Sequence, residues 1–297
     1  MTSTASRLAK VRARLDLPTL RRASGLLDGR HRSIFSGHGQ DFDDQVEYHP
    51  GDDVSDIDWK SSARAGTPII RRFVRESNLS VVLVIDTGRN MGATAPSGAT
   101  KSSIALFAAD IVAYLARSRG DLVALLAGDT ERMHQLPARA GTEHMELLLR
   151  TVERAFSVEA PPSDLGRLLG RALTLFTRRS LMVVLTDEAR PGPEHEDALR
   201  RLRTKHEVMV ISVADALPTT LGIGPTADVD TGADLPAFLR DDKALHREAE
   251  AAVEARKAEV RAMLRRRGVE AVTVTSEDDL VDQLIDLLRR QRRVARR

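Results

Sequence analysis

The sequence predicts an α/β protein: a mostly parallel central sheet with helices on both faces, preceded by an N-terminal β-containing segment. Three observations carry this. The runs Val81 to Ile85, Leu181 to Leu185 and Val208 to Val213 are short, apolar but for Ser212, and carry β-branched residues, the pattern of strands buried on both faces. Between them lie segments whose apolar residues recur at helical spacing. Strand and helix therefore alternate, which requires crossover connections and a parallel sheet.

Taken in order, Val81 to Ile85 ends at Asp86 and is followed by a Gly-rich loop. Ile104, Phe107, Ala108, Ile111, Val112 and Leu115 then mark a helix that stops near Gly120. Leu122 to Ala127 forms a strand, and Gly128-Asp129-Thr130 turns it into Arg132 to Leu136, a hairpin at a sheet edge. Thr142 is placed to cap a helix carrying Met145, Leu148, Leu149 and Val152 on one face, and Ser163 to cap another carrying Leu165, Leu168, Leu169 and Ala172. A helix over about residues 194–205 separates the strands ending at Asp187 and Val213. Residues 216–267, first rich in Pro, Gly and Asp and then a long charged helix, read as an insertion before the strand Val269 to Val274 and a helix opened by Ser276. The domain organisation predicted is an N-terminal segment over 1–78 and the α/β domain over 79–297.

Composition bounds the function. With no cysteine, there is no disulfide framework, thiolate metal site or cysteine nucleophile, which suits the cytoplasm. Residues Met1 to Leu17 carry Arg7, Lys10, Arg12 and Arg14 without the apolar stretch of a signal peptide, and no run is long enough to span a membrane. The 45 basic and 43 acidic residues are spread along the chain, and aromatics make up only 3%, so neither a field nor stacking platforms favour nucleic acid. The exception is the C-terminal cluster Arg289, Arg290, Arg292, Arg293, Arg296 and Arg297, which reads first as a solvated helix end whose charge complements the macrodipole, with a site for an acidic partner as the alternative.

Ligands of an open parallel sheet bind outside the carboxyl ends of its strands, so Asp86 and Asp187 are expected on one rim. Two carboxylates with a hydroxyl nearby suit Mg²⁺, and Ser163 is placed to supply that hydroxyl. Turn-stabilising carboxylates and a simple helix cap are the alternative roles for the same three residues. A P-loop ATPase is the enzyme rival, because Gly92 to Gly98 precedes Lys101-Ser102 and Asp187-Glu188 follows a strand. Its spacing is wrong, since a phosphate loop needs Lys directly after its last Gly. No Gly-x-Ser-x-Gly or His-Glu-x-x-His motif occurs.

The segments Asp86-Thr87-Gly88-Arg89-Asn90-Met91, Ser163-Asp164-Leu165 and Leu185-Thr186-Asp187 resemble the metal-ion-dependent adhesion site of von Willebrand factor A domains. That resemblance implies a von Willebrand factor A-like fold and a divalent cation, Mg²⁺ or another, held by Asp86, Asn90, Ser163 and Asp187. The pattern in those domains is Asp-x-Ser-x-Ser, a Thr and an Asp. Here Gly88 and Asn90 stand for the serines and Ser163 for the Thr.

A second resemblance covers most of the chain. Tyr48, Pro50, Gly51, Asp52 and Asp53, followed by Ile57, Asp58 and Trp59 and then by Ala63 and Arg64, are similar to the signature of the bacterial domain of unknown function family 58. The family is typically encoded beside MoxR-type AAA+ ATPases, which implies a non-enzymatic adaptor with such a protein partner in chaperone-like complex maturation. A metal-free structural scaffold is the other non-enzymatic alternative. Turn carboxylates that bond backbone amides account most simply for the acidic cluster, and Trp59 is expected to anchor packing.

Overall fold

The structure is a computed structural model that describes residues 41–48, 57–74, 80–118, 120–216, 229 and 243–294. The chain divides into two compact units, Asp28–Asn78 and Leu79–Arg297 together with Met1–Leu27. Among the described residues there are eight strands and seven α-helices.

In the smaller unit, β1 (Asp41–Glu47) pairs antiparallel with β2 (Ile69–Val74) and α1 (Trp59–Ala65) lies between them in the chain. Asp58 caps α1, accepting from the backbone N–H of Lys60 at 3.1 Å and of Ser61 at 3.2 Å. Ser62 Oγ accepts from the N–H of Ile69 at 2.8 Å and donates to the carbonyl of Asp58 at 2.7 Å, tying the helix to β2. The N–H of Tyr48 donates to Pro68, and Ile57 bridges Ile70. Gly66, at φ 76°, ends the helix in the left-handed conformation that favours glycine. Trp59 is 69% exposed, so the packing role expected of it is corrected: it occupies the first position of α1, with its ring outward. Pro50, Gly51, Asp52 and Asp53 lie outside the described residues.

The larger unit is built on β3 (Ser80–Asp86), β4 (Leu122–Gly128), β5 (Met133–Arg139), β6 (Leu181–Asp187), β7 (Glu207–Val213) and β8 (Glu270–Val274), in the order β5-β4-β3-β6-β7-β8. Every pairing is parallel except the β4–β5 hairpin at the edge. The pleat divides each strand between two cores. Leu83, Ile85, Leu125, Val183, Leu185 and Ile211 face one core, with α2 (Lys101–Ser118), α3 (Thr142–Ala155) and α7 (Glu277–Val294). Val82, Val84, Leu126, Met182, Val184 and Val210 face the other, with α4 (Leu165–Leu175), α5 (Glu196–Arg203) and α6 (Lys243–Arg266). Each fully buried Val or Leu contributes about 1.5–3 kcal/mol, and polar residues in β3, β6 and β7 are confined to the first position and the last two.

Two expected caps are corrected. Gly141, not Thr142, is the N-cap of α3, and Asp164, not Ser163, caps α4 by accepting from the N–H of Arg167 at 2.8 Å. Ser163 is thereby left for the rim of the sheet.

Candidate functional site

Parallel pairing in register places Ile85 opposite Leu185, so the residues that follow, Asp86 and Thr186, end side by side. Asp187, one residue on, pairs with Val213, after which come Ala214 and Asp215. The carboxyl ends of β3, β6 and β7 thus present Asp86, Asp187 and Asp215 on a single rim. Asn90 and Ser163 join them. Asn90 sits in a short 3-10 turn over Arg89–Gly92, and Ser163 at the end of the segment leading into α4.

Asp86 is fully buried, and both of its oxygens accept hydrogen bonds. The N–H of Gly88 (3.0 Å) and the hydroxyl of Ser163 (2.7 Å) reach Oδ1, and the hydroxyl of Thr186 (3.0 Å) reaches Oδ2. Burial pushes its pKa above the ordinary carboxylate value. The bonds from Ser163 and Gly88 oppose that rise, and the neighbouring charge of Asp187 adds to it. Ser163 Oγ also lies against Asn90 Oδ1, and Asn90 turns its amide nitrogen to Asp187 Oδ2.

Asp187 is the electrostatic centre. Its Oδ2 also accepts from Arg190 at 3.1 Å and lies 3.7 Å from the ammonium of Lys101. Its Oδ1 is buried and has no hydrogen-bond partner among the described residues. Lys101, 1% exposed, forms a second ion pair with Asp215. Burial raises the pKa of Asp215, and the positive charge of Lys101 opposes the rise. Next to this group, Glu188 pairs with Lys257 of α6 at 3.1 Å.

The segment carrying Ser163 is clamped from both sides. The backbone N–H of Arg89 donates to Pro161 at 3.0 Å and its Nε to Ala160 at 3.0 Å, while the N–H of Thr130 donates to Pro162 at 3.0 Å. A Cβ added at Gly88 would lie 2.4 Å from the backbone N of Ser163 and 2.5 Å from its Cα. The serine that the adhesion pattern has at this position is therefore sterically excluded.

The four residues expected from sequence, Asp86, Asn90, Ser163 and Asp187, do come together. The fit to a divalent ion is poor in this arrangement. Mg²⁺ requires an octahedron of oxygens, whereas both oxygens of Asp86 already accept hydrogen bonds, Asn90 presents N–H to Asp187, and two cationic side chains already flank Asp187. Among the described residues, no group of three or more His, Cys, Asp or Glu side chains is arranged to hold a metal.

Sequence reasoning missed Thr186, Lys101, Arg190 and Asp215 as partners. Aligning the apolar runs Val81 to Ile85 and Leu181 to Leu185 end to end, rather than the terminal aspartates, would have exposed Thr186 beside Asp86. Lys101 lies three and four residues before Ile104 and Ala105, on the buried face of α2, and a lysine there requires a carboxylate. The motif residues Tyr48, Ile57, Asp58, Trp59, Ala63 and Arg64 belong to the smaller unit.

The chain is 27% identical to an uncharacterized protein of Mycobacterium tuberculosis, with 97% of this chain and 91% of that protein covered. Its structure is similar to that of the conserved hypothetical protein BatB from Bacteroides thetaiotaomicron, at 13% identity and a TM-score of 0.44, covering 73% of this chain and 100% of that one. A von Willebrand factor type A structure from Catenulispora acidiphila is similar at 15% identity and a TM-score of 0.42, covering 75% of this chain and 44% of that one. The model of the family described as protein of unknown function DUF58 matches residues 44–259, a span that takes in the Tyr48 to Arg64 motif and the Asp86 to Asp215 rim alike, and the chain belongs to that family.

Proposed function

We propose that this protein is a non-enzymatic adaptor that binds another protein, and that its partner is a MoxR-type AAA+ ATPase in a chaperone-like or complex-maturation system. The observation that supports this most directly is that the polar groups of the rim are already bonded to one another. Ser163, a hydroxyl on the rim, shares its proton between Asp86 and Asn90, and Asp86 is buried. Nucleophilic catalysis needs a base that can receive the proton as substrate is attacked, and no histidine bonds to Ser163 among the described residues. Lys101, which follows the Gly92 to Gly98 loop in the sequence, faces Asp187 and Asp215, which argues against a phosphate-binding role.

The partner assignment rests on the family resemblance and on the shape of the larger unit, a rigid sheet presenting loops at one rim. Among the described residues no helix is long and apolar enough to cross a membrane. We place the complex in the cytoplasm, where a cysteine-free chain and an AAA+ ATPase are both at home.

Calorimetric titration of the purified chain into the MoxR-type ATPase of the same organism, with and without nucleotide, tests this reading. Saturable binding is expected, with no hydrolysis of ATP, esters or peptides by the chain alone. Turnover by the isolated chain that disappears in Asp187→Ala would reject the non-enzymatic reading. Absence of binding in every nucleotide state would reject the partner.

A further inference from the structure

We propose that the ammonium of Lys101 is the resident cation of this carboxylate cluster, standing in for a divalent ion at the rim, so that the site works without metal. The first argument is charge. Asp86 and Asp187 end two adjacent strands and are buried, Asp215 follows the end of the next strand and is part-exposed, and buried carboxylates need positive charge nearby. Lys101 supplies it at the centre, between Asp187 and Asp215, and Arg190 supplies more from the solvent side of Asp187. A divalent ion bound at Asp187 would sit beside both groups and be repelled by each.

The second argument is the position of the lysine. Lys101 is the first residue of α2, a helix of 18 residues, where the macrodipole disfavours a positive charge. A buried ammonium at a helix N-terminus is doubly unfavourable unless carboxylates hold it. Local structure fixes it there: the Thr94–Thr100 bridge closes the turn before the helix, the N–H of Lys101 donates to Ala93 at 2.8 Å, and the N–H of Ala216 donates to Thr94 at 3.0 Å beside Asp215. The amine is therefore held in the cluster by backbone as well as by charge.

The third argument is the donor set. Asp86 has no oxygen without a hydrogen bond, Asn90 directs N–H at the carboxylate that a metal would need, and the space in which a serine would extend from residue 88 is filled by the backbone of Ser163. Of the side-chain oxygens of Asp86, Asn90, Ser163 and Asp187, only Asp187 Oδ1 is without a hydrogen bond, too little for an ion that prefers six ligands.

This inference does not depend on the adaptor reading, and its test needs no partner. The full chain, as wild type, Lys101→Met, Asp187→Asn and the double variant Lys101→Met with Asp215→Asn, is titrated with Mn²⁺ and followed by the electron paramagnetic resonance of free Mn²⁺. Thermal melts are recorded in Mg²⁺ and in EDTA. Wild type is expected to leave Mn²⁺ free and to melt at the same temperature in both buffers. Lys101→Met is expected to lower the Tm by roughly 10 °C, the effect of leaving buried charge unpaired, and the added Asp215→Asn to recover part of that loss. Stoichiometric Mn²⁺ binding by wild type that is lost in Asp187→Asn would overturn the assignment, and it would do so even if Lys101→Met failed to fold. A Lys101→Met protein that melts with wild type would overturn it as well.

Discussion

The backbone at Gly88 has φ −64° and ψ 164°, an extended conformation open to any residue, so it is not conformational freedom that requires glycine there. The requirement comes from Ser163, whose backbone N would lie 2.4 Å from a Cβ. Because the obstacle is backbone, and that backbone is itself held by Arg89 and Thr130, it cannot rotate aside like a flexible side chain. Gly88→Ser, the change that would make the sequence more like an adhesion motif, is accordingly expected to lower stability by about 1–3 kcal/mol, the usual cost of overpacking. Urea denaturation of wild type and variant measures this, and an unchanged midpoint would mean that the Ser163 segment moves freely. The same geometry explains why Ser163 bonds to Asp86 and Asn90 rather than capping α4.

At the scale of elements, the strands are specified by continuous burial and the helices by how they begin. β6 is buried along its whole length, as a strand flanked by two parallel neighbours and covered by helices on both faces must be. In the smaller unit, α1 is only seven residues long and has no buried residue, so packing contributes little to it. Its stability rests on Asp58, which accepts from two backbone amides and from Ser61 Oγ at 2.8 Å. Asp58→Ala is expected to cost α1 about 1 kcal/mol. Since such a cost corresponds to roughly a fivefold change in an opening equilibrium, the amides of Ala63 to Gly66 should exchange with solvent about fivefold faster. Hydrogen exchange confined to that segment tests it, and an unchanged rate there would show that β2 alone holds the helix.

Across the larger unit as a whole, stability is tied to pH through groups that the fold keeps neutral. His206, at the entrance to β7, is 2% exposed, and burial lowers its pKa below the ordinary value of 6.5, with the positive charge of Lys205 acting in the same direction. The unfolded chain titrates near that ordinary value, so it takes up the proton first as pH falls. The unfolded state then binds more protons than the native state, and stability is lost from about pH 6.5 downward through the lower folded pKa. His195 is shifted in the same direction, chiefly by burial, and adds to the effect. Comparing wild type with His206→Leu isolates one contribution. The stability of wild type relative to the variant should fall as pH is lowered from 7.5 to 5.5, and a difference that stays constant across this range would contradict the assignment.

The resemblance to the adhesion-site pattern named Asn90 and drew in Ser163, while periodicity and strand-end chemistry in the sequence determined the five parallel strands, the edge hairpin, the helices between them and the meeting of Asp86 and Asp187 on one rim. These features follow from local rules: apolar runs bury, parallel strands aim their carboxyl ends in one direction, and Gly and Asp mark where they stop. Only the tertiary structure decided which charges answer one another. Lys101 and Asp215 are 114 residues apart in sequence, and Asn90 and Asp187 are 97 apart, so no local pattern records their pairing. Asp187 sits on the side of β6 that meets Lys101, while Thr186, one residue earlier, points to Asp86. The exposure of Trp59 was also decided in three dimensions. A residue type that is usually buried says nothing about which face of a seven-residue helix has a neighbour, because burial is a property of what packs against a side chain, not of the side chain itself.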